Sequence, residues 1–290
     1  MFSIRESIYP ELYKVADRAS IKLQKKLFLY QRIYLIMLIL VTFVTYYFPE
    51  SQFGSTVSAL LFMANIFLLV AIKVEKLDSK WYNARTVAES VKTISWKWMM
   101  RAKPYQNKDN VNQIFYDLRQ IFDQNLIFSY LINSMQIPPE MQISTEMKEI
   151  RKMSFDKRKK FYLKERLKNQ LSWYSQKSRE NRRKGEIWFW FSILLHTLAI
   201  ILLCLKIMDY QYQFPIEVIA ITACAVFTWL QAKRFSEVSS TYAQTAHEIT
   251  IIGSESDSVS NDDSFAKYVA NSENAFSREY TQWYAKKVVY

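Results

Sequence analysis

Glycine and proline are scarce, 3 and 6 in 290 residues. That leaves few turn-makers for a meander of short strands, so the punctuation favours long helices. A phosphate loop of the Walker or dinucleotide type needs glycines a few residues apart, and the nearest pair, Gly185 and Gly253, is far too widely separated. The 2 cysteines, Cys204 and Cys224, sit inside apolar runs, which argues against a disulfide framework. The 2 histidines, His196 and His247, lie far apart with no second ligand at metal spacing, so no metal is expected. Neither Gly-x-Ser-x-Gly nor His-Glu-x-x-His occurs, and the chain reads as a non-enzyme with no cofactor.

Apolar and basic residues are plentiful instead. Half the residues are hydrophobic (50%), yet 39 Lys+Arg stand against 27 Asp+Glu, a formal charge of +12. The two classes coexist because they are segregated. Four runs, about 32–48, 56–72, 187–208 and 215–232, are long and apolar enough to cross a bilayer, with Arg32, Lys206 and Glu217 near their ends. The second follows the first after a short loop, as the fourth follows the third. Two such hairpins are hard to bury in a soluble protein of this size, which predicts an all-α membrane protein with four crossings.

The connecting loops, PESQFGST and DYQYQF, hold no Lys or Arg, whereas the opposite ends of the four runs are strongly basic. By the positive-inside tendency both tips face outward, Lys206 being an exception. This places the N-terminus, the middle segment and the C-terminus in the cytoplasm of an inner-membrane, multi-pass protein. The first thirty or so residues are highly charged and carry no short apolar core with a cleavage site, so the first helix is expected to be an uncleaved anchor. Tyr46, Tyr47, Trp188 and Trp190 sit at the expected interfaces.

Beyond the first hairpin, ARTVAESVKTISWKW has Ala84, Val87, Ala88, Val91, Ile94 and Trp98 at helical spacing, with Arg85, Glu89 and Lys92 opposite. It reads as an amphipathic exit helix ended by Lys103-Pro104. A shift of 159 residues lays 31–48 on 190–207 and 57–73 on 216–232, then Ala84 on Ala243 and Glu89 on Glu248. A tandem duplication follows. Each unit would be an entering helix, a hairpin, an exit helix and a returning helix, the last at about 110–132 and 264–288. The expected modules are 1–135 and 151–290, joined by a linker at 136–150, with an acidic mobile loop at 253–264. Partners for the apolar faces of the returning helices come from the exit helices, as a cytoplasmic helical bundle.

Arg85, Ala88-Glu89-Ser90, Lys92 and Trp96, followed by Lys103-Pro104-Tyr105, resemble the characteristic segment of SLATT proteins, two-helix membrane effectors linked to bacterial nucleotide-signalling and other antiphage systems. RLKNQLSWYSQKS followed by NRRKGEIW is similar to the corresponding opening of another SLATT subtype. The resemblance covers most of the chain as a tandem pair, although no counterpart of Trp96 follows Glu248. It implies an oligomeric effector that forms a pore or disrupts the membrane once a sensor acts. A non-conducting scaffold that recruits a soluble partner through its basic helices is the rival reading.

Polar groups inside the spans are the first functional candidates, because each needs a partner or water. Ser58 and Asn65 share one face of the second span, and Ser192 and His196 one face of the third. They would line a pore or hydrogen-bond between helices. Thr42, Thr45, Thr197 and Thr228 can bond their own backbone and carry no such inference. Arg85, Glu89, Lys92, Trp96 and Glu248 are candidates for a cytoplasmic gate. The run 151–184 holds 14 Lys+Arg against Asp156, Glu165 and Glu180, nearly the whole net charge. There, Arg158, Lys159, Lys160, Arg182 and Arg183 would bind anionic lipid headgroups or a nucleotide messenger supplied, like a sensor protein, by a neighbouring defence gene. Sequence-specific nucleic-acid binding is not expected.

Overall fold

The computed structural model describes residues 8–106, 111–125, 143–208, 211 and 213–288, with side chains described to Ser277. Among them the secondary structure is helical throughout. We label the helices α1 (Glu11–Tyr47), α2 (Gln52–Glu75), α3 (Leu77–Met99), α4 (Val111–Gln124), α5 (Thr145–Lys152), α6 (Phe155–Phe161), α7 (Asn169–Met208), α8 (Ile216–Lys233), α9 (Phe235–Glu255) and α10 (Asp262–Val288). A π-helical stretch, Tyr162–Lys168, joins α6 to α7, and a 3₁₀ turn, Ser256–Ser258, follows α9.

The chain divides into two compact units. One comprises Met1–Gln24, Asp78–Ser175 and Ala243–Tyr290, the other Lys25–Leu77 and Gln176–Tyr242. The second contains the apolar lengths of four helices long enough to cross a bilayer. Its burial pattern is that of a protein surrounded by lipid. Phe62, Met63, Ile66 and Phe67 point outward on α2 while Ser58 and Asn65 point inward. In water such a surface would be unstable; in hydrocarbon, association comes from packing and interhelical polar contacts. At the α1–α2 turn Ser51 accepts a hydrogen bond from the Gly54 backbone N–H. A Cβ on Gly54 would lie 2.7 Å from the Phe48 Cβ, so the tight tip requires glycine there.

The other unit has a conventional core. Ala84, Val87, Ala88, Val91 and Trp96 of α3 pack with Leu12 and Ala16 of α1, Ile114 and Leu118 of α4, and Phe265 and Val269 of α10. The small residues Ala84 and Ala88 are fully buried, as close helix approach requires. The stop of α3 lies earlier than Pro104. The Ala102 N–H bonds the Lys97 carbonyl and the Arg101 N–H the Trp98 carbonyl, with Arg101 left-handed at φ 55°. This is a Schellman cap built on arginine rather than glycine.

Two expectations change. Of the stretch 136–150, residues 136–142 lie outside the described residues; Ile143, Met147, Ile150 and Arg151 are buried in the core, so the remainder is a packed helix rather than a linker. Its start is fixed by Ser144, which accepts from the Met147 N–H and donates to the Ile8 carbonyl. The expected acidic loop at 253–264 is a short helical turn with Ser256 and Val259 buried. Leu167 holds it close: a Cβ on Gly253 would lie 3.2 Å from the Leu167 Cδ2. Of the returning helix expected at 110–132, residues 110 and 126–132 lie outside what is described.

The duplication is visible in the backbone, one residue out of the expected register. Lys76 (φ 47°) and Arg234 (φ 49°) are left-handed breaks between hairpin and exit helix, 158 positions apart. That offset pairs buried Ser58 with Ile216, Asn65 with Ala223, Leu77 with Phe235, Val87 with Thr245, Ala88 with Ala246 and Val91 with Ile249, all of them buried. The 159 shift instead lays buried Ala88 and Glu89 on exposed His247 and Glu248. Ala84 matches Ala243 and Glu89 matches Glu248 at 159, but both matches set a buried residue on an exposed one, and burial sets the register.

Candidate functional site

Asn65 is 3% and Ser58 5% exposed, and neither the Asn65 amide oxygen and nitrogen nor the Ser58 hydroxyl has a hydrogen-bond partner among the described residues. A buried amide with both ends unmatched is costly in any apolar medium. Ser192 is likewise buried, whereas His196, one turn on, is exposed on the outer face of α7, its Nδ1 2.7 Å from the Ser192 carbonyl. Of the four expected lining residues, three turn inward and one outward. Thr42, Thr45 and Thr228 donate to their own backbone carbonyls, as expected. An open cleft of about 280 Å³ is lined by Thr42, Thr45, Tyr46, Pro49 and Glu217.

The exit-helix group lies in the other unit. Glu89, 5% exposed, is paired to Arg85 at 2.7 Å and Lys92 at 3.8 Å, and Arg85 also reaches Asp17 of α1 at 3.0 Å. Burial pushes the Lys92 ammonium down from its ordinary value, against the pull of Glu89, and Arg166 and Arg85 push it the same way as burial. Glu248, offered as the counterpart of Glu89, is exposed and corresponds to no part of this cluster. Trp96 is fully buried and donates its indole N–H to the Tyr9 hydroxyl at 3.0 Å.

At the centre is a pair that sequence reasoning missed. Arg166, on the π-helical stretch, donates to both carboxylate oxygens of Glu273 of α10, at 2.9 and 2.7 Å; Tyr162 donates to the same carboxylate at 3.0 Å. The Arg166 guanidinium also lies 5.8 Å from the Trp96 ring and 5.2 Å from Phe276. Burial works against its charge, but Glu273 and the neighbouring phenols outweigh burial and hold it well above the ordinary arginine range. The same burial pushes the Tyr9 phenol up to about 12, partly opposed by Arg166 and by the Trp96 hydrogen bond.

Arg158, taken from sequence as a lipid- or nucleotide-binding residue, belongs to this interior as well. Its side chain is wholly buried and paired with Asp262. It cannot meet a headgroup or a messenger. Arg151 is buried too, donating to the Trp98 and Tyr105 carbonyls and stacking 4.7 Å from the Trp98 ring. Lys159 donates to the Val259 carbonyl at 2.8 Å. Lys160 and Arg183 are exposed, and so is Arg182, which pairs with Glu186. The run thus sorts into an inward stripe, with Arg151, Arg158, Tyr162 and Arg166 following Met147 at spacings of four or seven, and an outward remainder. That spacing was the available signal. Among the described residues no group of His, Cys, Asp and Glu could hold a metal ion.

Comparison with known families gives two matches. Residues 10–159 match SMODS and SLOG-associating 2TM effector domain 3, and residues 162–283 match SMODS and SLOG-associating 2TM effector domain 1. No curated protein and no solved structure matches. The two matched regions adjoin at Tyr162, inside the buried network. Arg158 with Asp262, and Arg166 with Trp96, therefore join residues of both regions within one core.

Proposed function

From the chain's membership of the SLATT family, whose two-TM effector domains it carries in tandem, we propose that it is an antiphage-type effector that oligomerises in the inner membrane and opens a pore when triggered. The observation that carries this reading is the unmatched Asn65 amide beside Ser58 on the inner face of α2. A resting copy gains nothing from burying those groups without partners. A state in which they meet water or a second copy does, so activation has a local driving force. Four crossings in one copy are too few to enclose a wide aqueous path, and conduction needs several copies. His196, outward on α7, is suited to a contact between copies.

In the same reading both hairpin tips face outward, the termini are cytoplasmic, and Lys160, Arg182 and Arg183 seat the protein on anionic headgroups or receive a nucleotide messenger or sensor protein. Glu89, clamped between Arg85 and Lys92, and the Arg166–Glu273 pair hold the closed state.

Ion or dye release from liposomes carrying the purified chain, triggered by its sensor system, tests this. Asn65→Leu should abolish release with expression and oligomer size unchanged and should raise thermal stability, since it removes an unmatched buried polar group, whereas His196→Leu should weaken association between copies. Vesicles that stay sealed while a soluble partner is recruited would replace the pore with the scaffold reading.

A further inference from the structure

Phe28 and Arg32 of α1, Lys184 of α7, and Trp229 and Lys233 of α8 all lie at ends of the membrane-spanning lengths, within one compact unit. The Lys233 ammonium sits 3.4 Å from the Phe28 ring centroid and 5.2 Å from that of Trp229; the Arg32 guanidinium lies 5.8 Å from the Trp229 centroid. Lys184 adjoins Gly185, where a Cβ would lie 3.1 Å from the Phe235 Cβ, two residues beyond Lys233, and both Arg32 and Lys184 repel the Lys233 ammonium. None of the three cations is ion-paired among the described residues. Neighbouring carboxylates are already engaged: Glu75 with Lys26, Glu180 with Lys177, Glu186 with Arg182 and Glu237 with Arg234.

Two cations held on two aromatic rings with a third beside them, and with Glu75, Glu180, Glu186 and Glu237 paired elsewhere, are unfavourable unless an anion joins them. Aromatic faces hold the cations in place but leave their outward sides unneutralised. From this juxtaposition of Arg32, Lys184 and Lys233 around Phe28 and Trp229, we propose a binding site for a phosphate-bearing anion, occupied by the phosphodiester of an anionic phospholipid. Position favours the lipid as source. The cations sit where apolar helix gives way to charged helix, the level of the headgroups, and the aromatic rings are placed to meet the upper acyl chains. Arg32 and Lys184 are exposed and Lys233 half-buried, so a headgroup can reach them. The site requires that these helices cross a membrane and is independent of any pore.

Native mass spectrometry of the full chain, released from detergent with added phosphatidylglycerol, tests this. The wild type should retain phosphatidylglycerol in preference to phosphatidylcholine. Each of Arg32→Gln, Lys184→Gln and Lys233→Gln should weaken that retention on the order of fivefold, the scale of one basic residue at a membrane surface. Lys233→Arg should preserve it, which separates lost charge from lost folding. Lys148→Gln, at an exposed lysine of α5, should leave it unchanged. Equal retention by wild type and the three glutamine variants, or equal retention of phosphatidylcholine, would overturn the site. Inorganic phosphate or a mononucleotide that displaces phosphatidylglycerol at equal concentration would overturn the lipid assignment and leave a soluble phosphate as ligand. None of these readings involves flux, so the site and the pore stand or fall separately.

Discussion

Replacing Glu273 by glutamine keeps the size and shape of the side chain and removes its charge. The partner Arg166 is 3% exposed and Glu273 is fully buried, with their closest atoms 2.7 Å apart. At an effective dielectric constant of about 20, that separation corresponds to roughly 6 kcal/mol of gross attraction. Desolvating each ion costs several kcal/mol, so the pair as a whole contributes little net stability. Its removal by halves is another matter. Glu273→Gln strands a guanidinium that has lost its counter-ion, and Tyr162 also loses a charged acceptor. The expected cost is about 3–5 kcal/mol. Replacing both partners at once, Arg166→Met with Glu273→Leu, should cost no more than about 2 kcal/mol, because no buried charge is left behind. Reversible denaturant unfolding in detergent, followed by tryptophan fluorescence, measures the cycle. A loss below about 1 kcal/mol for Glu273→Gln, or a double variant as unstable as the two single losses added, would refute the claim that this pair is dry and mutually dependent.

Arg158→Gln should destabilise the fold by about 1–3 kcal/mol, because a shorter side chain leaves a void in a fully buried slot and the pairing with Asp262 is lost, whereas Lys160→Gln and Arg183→Gln should change it by less than about 0.5 kcal/mol; chemical denaturation separates the two classes. The Tyr9 phenol is held neutral up to about 12 in the fold, against 10.0 in an unfolded chain. Its contribution is therefore complete below pH 10 and is lost as pH rises through 12, and an alkaline titration monitored by circular dichroism should show unfolding in that window. Lys76, left-handed at φ 47°, is strained by its Cβ; Lys76→Gly should stabilise by about 0.5–1 kcal/mol and Lys76→Val should destabilise, read as opposite shifts in melting temperature.

The four helices long and apolar enough to cross a membrane, and the exit helix, were legible in the sequence because they depend on local pattern: apolar length, helical spacing and the scarcity of glycine and proline. Pairing of Arg85 and Lys92 with Glu89 follows from positions three and four apart on one helix, and the structure has both contacts. The sense in which Ser58 and Asn65 share a face was equally local, but their lack of partners depends on what the other helices present.

Sequence by itself determined an all-helical chain with two apolar hairpins, a tandem repeat and a basic middle segment. Only tertiary structure decided which bases are solvated and which are core, because burial of a charge depends on a partner supplied from far along the chain. Asp262 stands 104 residues from Arg158, and Glu273 stands 107 from Arg166. It also decided the repeat register, since chemical identity on an exposed face is free to drift while burial against a neighbour is not. One residue of slip turns Glu248 from a gate candidate into a solvated side chain and sets Ala223, not Cys224, opposite Asn65.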